Sequence, residues 1–289
     1  MIVFSSVLIT YISFKNEPAK EGQANYKAAV IDVENKNVRS STYRRNAYSD
    51  KISLDNLERR TALKVKRKLI SIDFNGKHIV ALGDSLTEGI GDNFTQGGFV
   101  SVLERTINKD HKIASFKNYG KQGEQSAQLL RRLNSKEVKT DIKKAHIIII
   151  AVGANDIIQV LQDHFTDLSI NLFTKEQASF EKRLTNILQK LNQINSKTKI
   201  YLVGLYNPFE NYFGDIYELD QIINNWNKAS SDVADGFQNV TFIPVKDLFS
   251  NNKNLFAEDH FHPNERGYVK IAERILDYLI EEGEKHEEQ

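Results

Sequence analysis

The residues whose types and spacing could do chemistry begin at Gly83-Asp84-Ser85-Leu86, which closes an apolar run from His78 to Leu82. A serine at the end of such a run stands on a sharp strand-to-helix turn, with its hydroxyl at the C-terminal edge of a sheet. Backbone N–H groups at the start of the following helix then point at whatever binds beside it. That position suits a nucleophile and part of an oxyanion site. A serine nucleophile needs a base to take its proton, an acid to hold that base, and more donors for the developing negative charge. Alone, the tetrapeptide reads equally as a helix N-cap, with Asp84 bracing the turn.

The other requirements recur downstream. Asn118-Tyr119-Gly120-Lys121-Gln122-Gly123 follows a second apolar run, Val152-Gly153-Ala154-Asn155-Asp156 ends a third, and Asp259-His260-Phe261-His262-Pro263-Asn264 follows a fifth. His262 is the better base, because Pro263 fixes the backbone just before a helix start. Asp259 can reach the other imidazole nitrogen if the loop makes one tight turn. The Ser85 N–H, the Gly123 N–H and the Asn155 carboxamide make three oxyanion donors, and a glycine at 123 puts no Cβ against the substrate. Gly153 and Asp156 support the third block, Asp156 as a loop brace. His260 keeps two alternatives open. It could replace His262 as base, or join His262 and Asp259 in a metal site. No third ligand stands at metal-binding spacing, so no metal is expected.

Together, Gly83-Asp84-Ser85-Leu86, Gly123, Gly153-x-Asn155-Asp156 and Asp259-x-x-His262 resemble the four blocks of the SGNH hydrolases, also called GDSL esterases/lipases. The blocks stand in the family's order, and the resemblance covers about residues 77–282. It implies a flavodoxin-like three-layer α/β/α sandwich and hydrolysis of carboxylic esters without metal or cofactor. It also implies roles: Ser85 as nucleophile and oxyanion donor, Gly123 and Asn155 as further donors, His262 as base, and Asp259 as its orienting partner. The nearest likeness is to the membrane-anchored members of low-GC Gram-positive bacteria.

The elements that must position these residues are legible as alternating patterns. Strands are expected at His78–Leu82, Ile113–Tyr119, His146–Val152, Lys199–Leu205 and Val240–Pro244. Helices are expected at Gly98–Asn108, Gln125–Leu133, Phe180–Ile194, Asp220–Phe237 and Asn264–Ile280. The four consecutive isoleucines of the third strand suit a strand covered on both faces. Five strands alternating with helices imply a doubly wound parallel sheet, which binds ligands beyond its strand C-termini. Every chemistry-bearing block falls at that edge. Tyr206, Phe209 and Tyr212, in the loop after the fourth strand, would line an acyl or sugar pocket or else pack that loop. Trp226 reads as core.

The remaining sequence bounds partners and location. A formal charge of +1 over 289 residues points to no nucleic acid, and the absence of cysteine excludes disulfides and thiolate nucleophiles. Residues 15–70 hold 14 Lys and Arg against 7 Asp and Glu, so a basic linker with a short helix at Leu54–Ile70 precedes a mildly acidic catalytic domain, 71–284. Residues 1–14 are almost wholly apolar or small. As a helix they would reach about 21 Å, short of the roughly 30 Å hydrocarbon core. They read as a signal anchor holding the domain outside the cytoplasm, with a secreted form as the alternative. Residues 285–289 form a charged tail. The expected partner is a small-molecule ester, or one linked to lipid or polymer. The rival reading is a non-catalytic glycan- or lipid-binding module on the same fold.

Overall fold

The computed structural model describes residues 74–287, apart from 94, 95, 110, 165, 168 and 211–216. The anchor expected over residues 1–14, the expected basic linker and the helix expected at Leu54–Ile70 lie outside these residues, as does Tyr212. No helix among the described residues is long and apolar enough to cross a membrane.

Five parallel strands form one sheet. They are β1 (His78–Gly83), β2 (Ser115–Gly120), β3 (Ile147–Ala151), β4 (Lys199–Val203) and β5 (Val240–Ile243), in the order β2-β1-β3-β4-β5. That is the flavodoxin-like doubly wound order. The register brings the C-terminal ends together: Gly83 lies opposite Gly120 and Ala151, and Ala151 opposite Val203. Loops leaving these four ends therefore meet on one edge.

The helices are α1 (Ser85–Glu88), α2 (Gly98–Ile107), α3 (Ser126–Arg132), α4 (Lys136–Lys144), α5 (Ala154–Asp163), α6 (Ile170–Ile194), α7 (Tyr217–Asp235), α8 (Lys246–Phe249) and α9 (Glu265–Glu287). Helix α2 packs on α9, whereas α6 packs against α3, α4, α5 and α7; these two groups form the outer layers. Phe173, Phe180, Leu184, Ile187, Leu188 and Leu191 make one buried stripe along α6. Each such side chain contributes about 1.5–3 kcal/mol by leaving water.

Several boundaries differ from the sequence reading. Helix α6 starts at Ile170, ten residues before Phe180, because Phe173 extends its buried stripe one further step. Strand β2 starts at Ser115 rather than Ile113. The Asn108 side-chain oxygen accepts from the N–H groups of Ile113 and Ala114, at 3.0 and 2.9 Å, and takes them out of the ladder. Helices α4 and α5 were not anticipated, and the helix after Ser85 is a single turn closed by Gly89 in the left-handed region.

Candidate active site

The turn from β1 into α1 presents Ser85. Asp84 caps it, its Oδ1 accepting from the Leu86 N–H at 3.0 Å. Ser85 is 7% exposed and its Oγ lies 2.9 Å from His262 Nε2. His262 is 1% exposed, and its Nδ1 lies 2.5 Å from Asp259 Oδ2. An Nδ1–H donated to Asp259 leaves Nε2 as an acceptor facing the Ser85 hydroxyl.

The tight turn between Asp259 and His262 is present. Asp259 Oδ1 accepts from the N–H groups of Phe261 and His262 at 3.0 and 2.9 Å. Burial alone would raise the Asp259 carboxyl. The His262 side-chain hydrogen bond and these two N–H groups outweigh it and hold the carboxyl below its usual range. His260 sits in the left-handed region with φ 55° and is exposed. The two histidines therefore do not face the same way, and His262 is the one at Ser85. Among the described residues, no group of three or more His, Cys, Asp or Glu could hold a metal.

The expected oxyanion donors differ in setting. Among the described residues, neither the Ser85 N–H nor the Gly123 N–H has a hydrogen-bond acceptor. Gly123 has φ +75°, which favours glycine, and nothing lies within 4 Å of where its Cβ would be. It does not line the cleft described below. Asn155 does, and its Nδ2 donates over long distances, to Asp84 Oδ2 at 3.4 Å and to the Glu124 carbonyl at 3.2 Å. Gly153 caps α5 at φ +126°, where a Cβ would stand 3.0 Å from the Phe180 ring.

The supporting acids are both buried. Burial raises the Asp84 carboxyl to about 7; the Leu86 N–H opposes this, and the Asp156 and Glu124 charges add to it. Asp156 accepts from the Ser126 N–H at 3.0 Å, from the Ser126 hydroxyl at 2.6 Å and from Arg183 at 3.0 Å. It ties α5 to the start of α3 and the middle of α6. Burial raises its carboxyl too, with the Ser126 and Arg183 contacts opposing. Arg183→Ala would leave that carboxyl buried without its cation. A loss of about 3 kcal/mol in urea unfolding at neutral pH is expected.

Sequence reasoning missed Arg183, although an arginine between Phe180 and Ile187 on an apolar stripe is the available signal. It also missed the Glu124–Arg132 ion pair, through which Arg132 holds the Tyr119 carbonyl at 2.7 Å and steadies the loop carrying Gly123.

Ser85, Asn155 and His262 open into a cleft of about 630 Å³, its mouth included. Its walls include Ile157 and Ile158 of α5, Val203 at the end of β4, Leu205 just after it, Ile223 of α7, and Phe261. Tyr206 and Phe209 also line it. Tyr206 also donates its hydroxyl to the Phe261 carbonyl at 3.0 Å and stacks on Phe249, so it braces the His262 loop as well. Burial, with the Asp84 and Asp259 charges nearby, keeps its phenol well above the usual range and protonated.

Residues 81–270 match the GDSL-like lipase/acylhydrolase family model. The chain belongs to that family and is a hydrolase of the ester-cleaving kind. Over 214 residues it is 31% identical to the uncharacterized protein YpmR of Bacillus subtilis (strain 168), covering 72% of this chain and 84% of that one. Over 201 residues it is 27% identical to the spore germination lipase LipC of Bacillus licheniformis, covering 68% and 92%. Among solved structures, the lipase Lip_vut3 from a goat rumen metagenome superposes with a TM-score of 0.62 at 26% identity, covering 69% and 95%.

Proposed function

We propose that the chain hydrolyses carboxylic esters through an acyl-enzyme on Ser85. Ser85 Oγ attacks the ester carbonyl carbon while His262 Nε2 takes its proton. The Ser85 N–H, the Gly123 N–H and the Asn155 carboxamide hold the resulting oxyanion. Collapse of the intermediate breaks the ester C–O bond, and the leaving alcohol takes the proton from His262. A water then repeats the sequence, releasing the acid and restoring Ser85. Asp259 holds the imidazole and stabilises its charged form. The observation that carries this reading is the continuous Ser85–His262–Asp259 hydrogen-bonded line, ending on a carboxylate held ionised. The long contacts of Asn155 leave its amide weakly held and able to turn toward substrate.

The apolar cleft walls favour an acyl group of several carbons over an acetyl group. Similarity to two proteins named as lipases supports a lipid-like acyl group. The anchor expected over residues 1–14 would hold the enzyme on the outer face of the cytoplasmic membrane. The test is a fluorophosphonate probe together with p-nitrophenyl acetate, butyrate, octanoate and palmitate. The expected result is one adduct, on the Ser85 peptide, and a kcat/KM that rises from acetate to a longer chain. No adduct and no turnover of any ester would favour the non-catalytic binding module instead.

A further inference from the structure

The end of the sheet opposite Ser85 carries a row of lysines. Four adjacent strands, in the order β2, β1, β3, β4, are each led into by one or more. Lys112 precedes β2, Lys77 precedes β1, Lys143 and Lys144 precede β3, and Lys197 precedes β4, which itself starts at Lys199. At about 4.8 Å between strands, the row spans about 15 Å. Lys112, Lys143, Lys144 and Lys197 are exposed, and Lys77 and Lys199 half-buried. His78 and His146 lie in the same row with their rings stacked.

Among the described residues the row stands outside the ion pairs. Lys228, Lys246 and Lys270 pair with Asp232, Asp220 and Glu273, whereas none of these six lysines has an ion pair among the described residues. The described residues of the four lead-in segments include no Asp or Glu. Asp141 of α4 accepts from the Tyr119 hydroxyl at 2.6 Å, and Asp235 precedes β5, beyond the end of the row.

The chain also arrives at this edge. Phe74 is buried, and Gly76 donates its N–H to the Ile113 carbonyl at 2.8 Å, beside the start of β2. Before it in sequence come the basic residues 15–70 and the apolar residues 1–14. We propose that this lysine edge rests on an anionic lipid membrane, so that the sheet stands on end and the Ser85 cleft faces away from the bilayer. The proposal rests on reading residues 1–14 as an anchor. The basic charge of residues 15–70 in the sequence and that of this edge add up, since each lysine near an anionic surface gains about 1 kcal/mol. The direction from which the chain arrives makes a membrane, rather than a free anionic polymer, the occupant. The six residues of β1 hold the cleft about 20 Å above the edge. Esters carried on molecules outside the bilayer are then the accessible ones.

The test uses the full chain on vesicles of phosphatidylcholine alone and on vesicles with about 30% phosphatidylglycerol. Lysines are acylated with a membrane-impermeant reagent and read by mass spectrometry. With phosphatidylglycerol, Lys112, Lys143, Lys144 and Lys197 should label about fivefold more slowly. Lys175 and Lys182 of α6 should not change. In the variant Lys143→Glu/Lys144→Glu/Lys197→Glu, the remaining protection of Lys112 should be lost. Flotation with both vesicle types but equal labelling would overturn the proposal alone. Failure to float with either would overturn it together with the anchor reading. Protection by inorganic polyphosphate and not by vesicles would also overturn it.

Discussion

Ser85→Ala is expected to lower kcat for p-nitrophenyl butyrate by about 10⁴- to 10⁶-fold, with the fold intact by circular dichroism. The size follows from the geometry. Ser85 Oγ is the group aligned on His262 Nε2, and its loss would remove the proposed acyl-enzyme route rather than a binding contact. The side chain is small and at the cleft, so little packing goes with it. His262→Ala should cost a similar factor, and the double variant little more, because residues acting as one unit are not additive. Asp259→Asn should lose about 10⁴-fold by disturbing the imidazole tautomer. His260→Ala should stay near wild type, since His260 turns outward from the loop. Turnover by Ser85→Ala within tenfold of wild type would end the nucleophile assignment.

Asp84→Asn should become more stable relative to wild type as the pH rises. The Asp84 carboxyl titrates near 7 in the folded chain, against an ordinary 3.8. Between those values the folded state keeps a proton that the unfolded state has lost. Stability therefore falls as pH rises through that window and levels off above 7. A gap of about three pH units corresponds to roughly 4 kcal/mol at most. Asparagine keeps an oxygen for the Leu86 N–H and caps well, but never ionises. Urea unfolding should show its advantage widening by roughly 2–3 kcal/mol between about pH 5 and pH 8. A difference that stays constant across that range would mean that Asp84 is ionised in the folded chain throughout.

The parts of the fold and site that were legible beforehand depend on local pattern. The four isoleucines of β3 declare a strand covered on both faces, and each block of candidate residues follows an apolar run, so their common edge could be read. Missed features depend on partners distant in sequence. Asn108 takes Ile113 and Ala114 out of β2 by a side-chain contact that no periodicity records. Asp156, Ser126 and Arg183 come from three separate helices, and only folding unites them. His260 and His262 were separable only through the backbone turn at φ 55°, a conformation that residue type does not reveal.

The only tryptophan of the chain, Trp226 on α7, is fully buried with its ring 4.7 Å from Phe180. Its indole N–H has no hydrogen-bond partner among the described residues. Phe180 in turn abuts Gly153, and Ile223, just before Trp226 on α7, lines the cleft. This indole thus sits behind the wall of the cleft, stacked on Phe180. Its emission should be blue-shifted and respond to an acyl chain entering the cleft. The molecule carries a built-in optical gauge, read by exciting its one indole rather than its 11 tyrosines, by which ligand entry and loss of fold can be followed in the unlabelled protein.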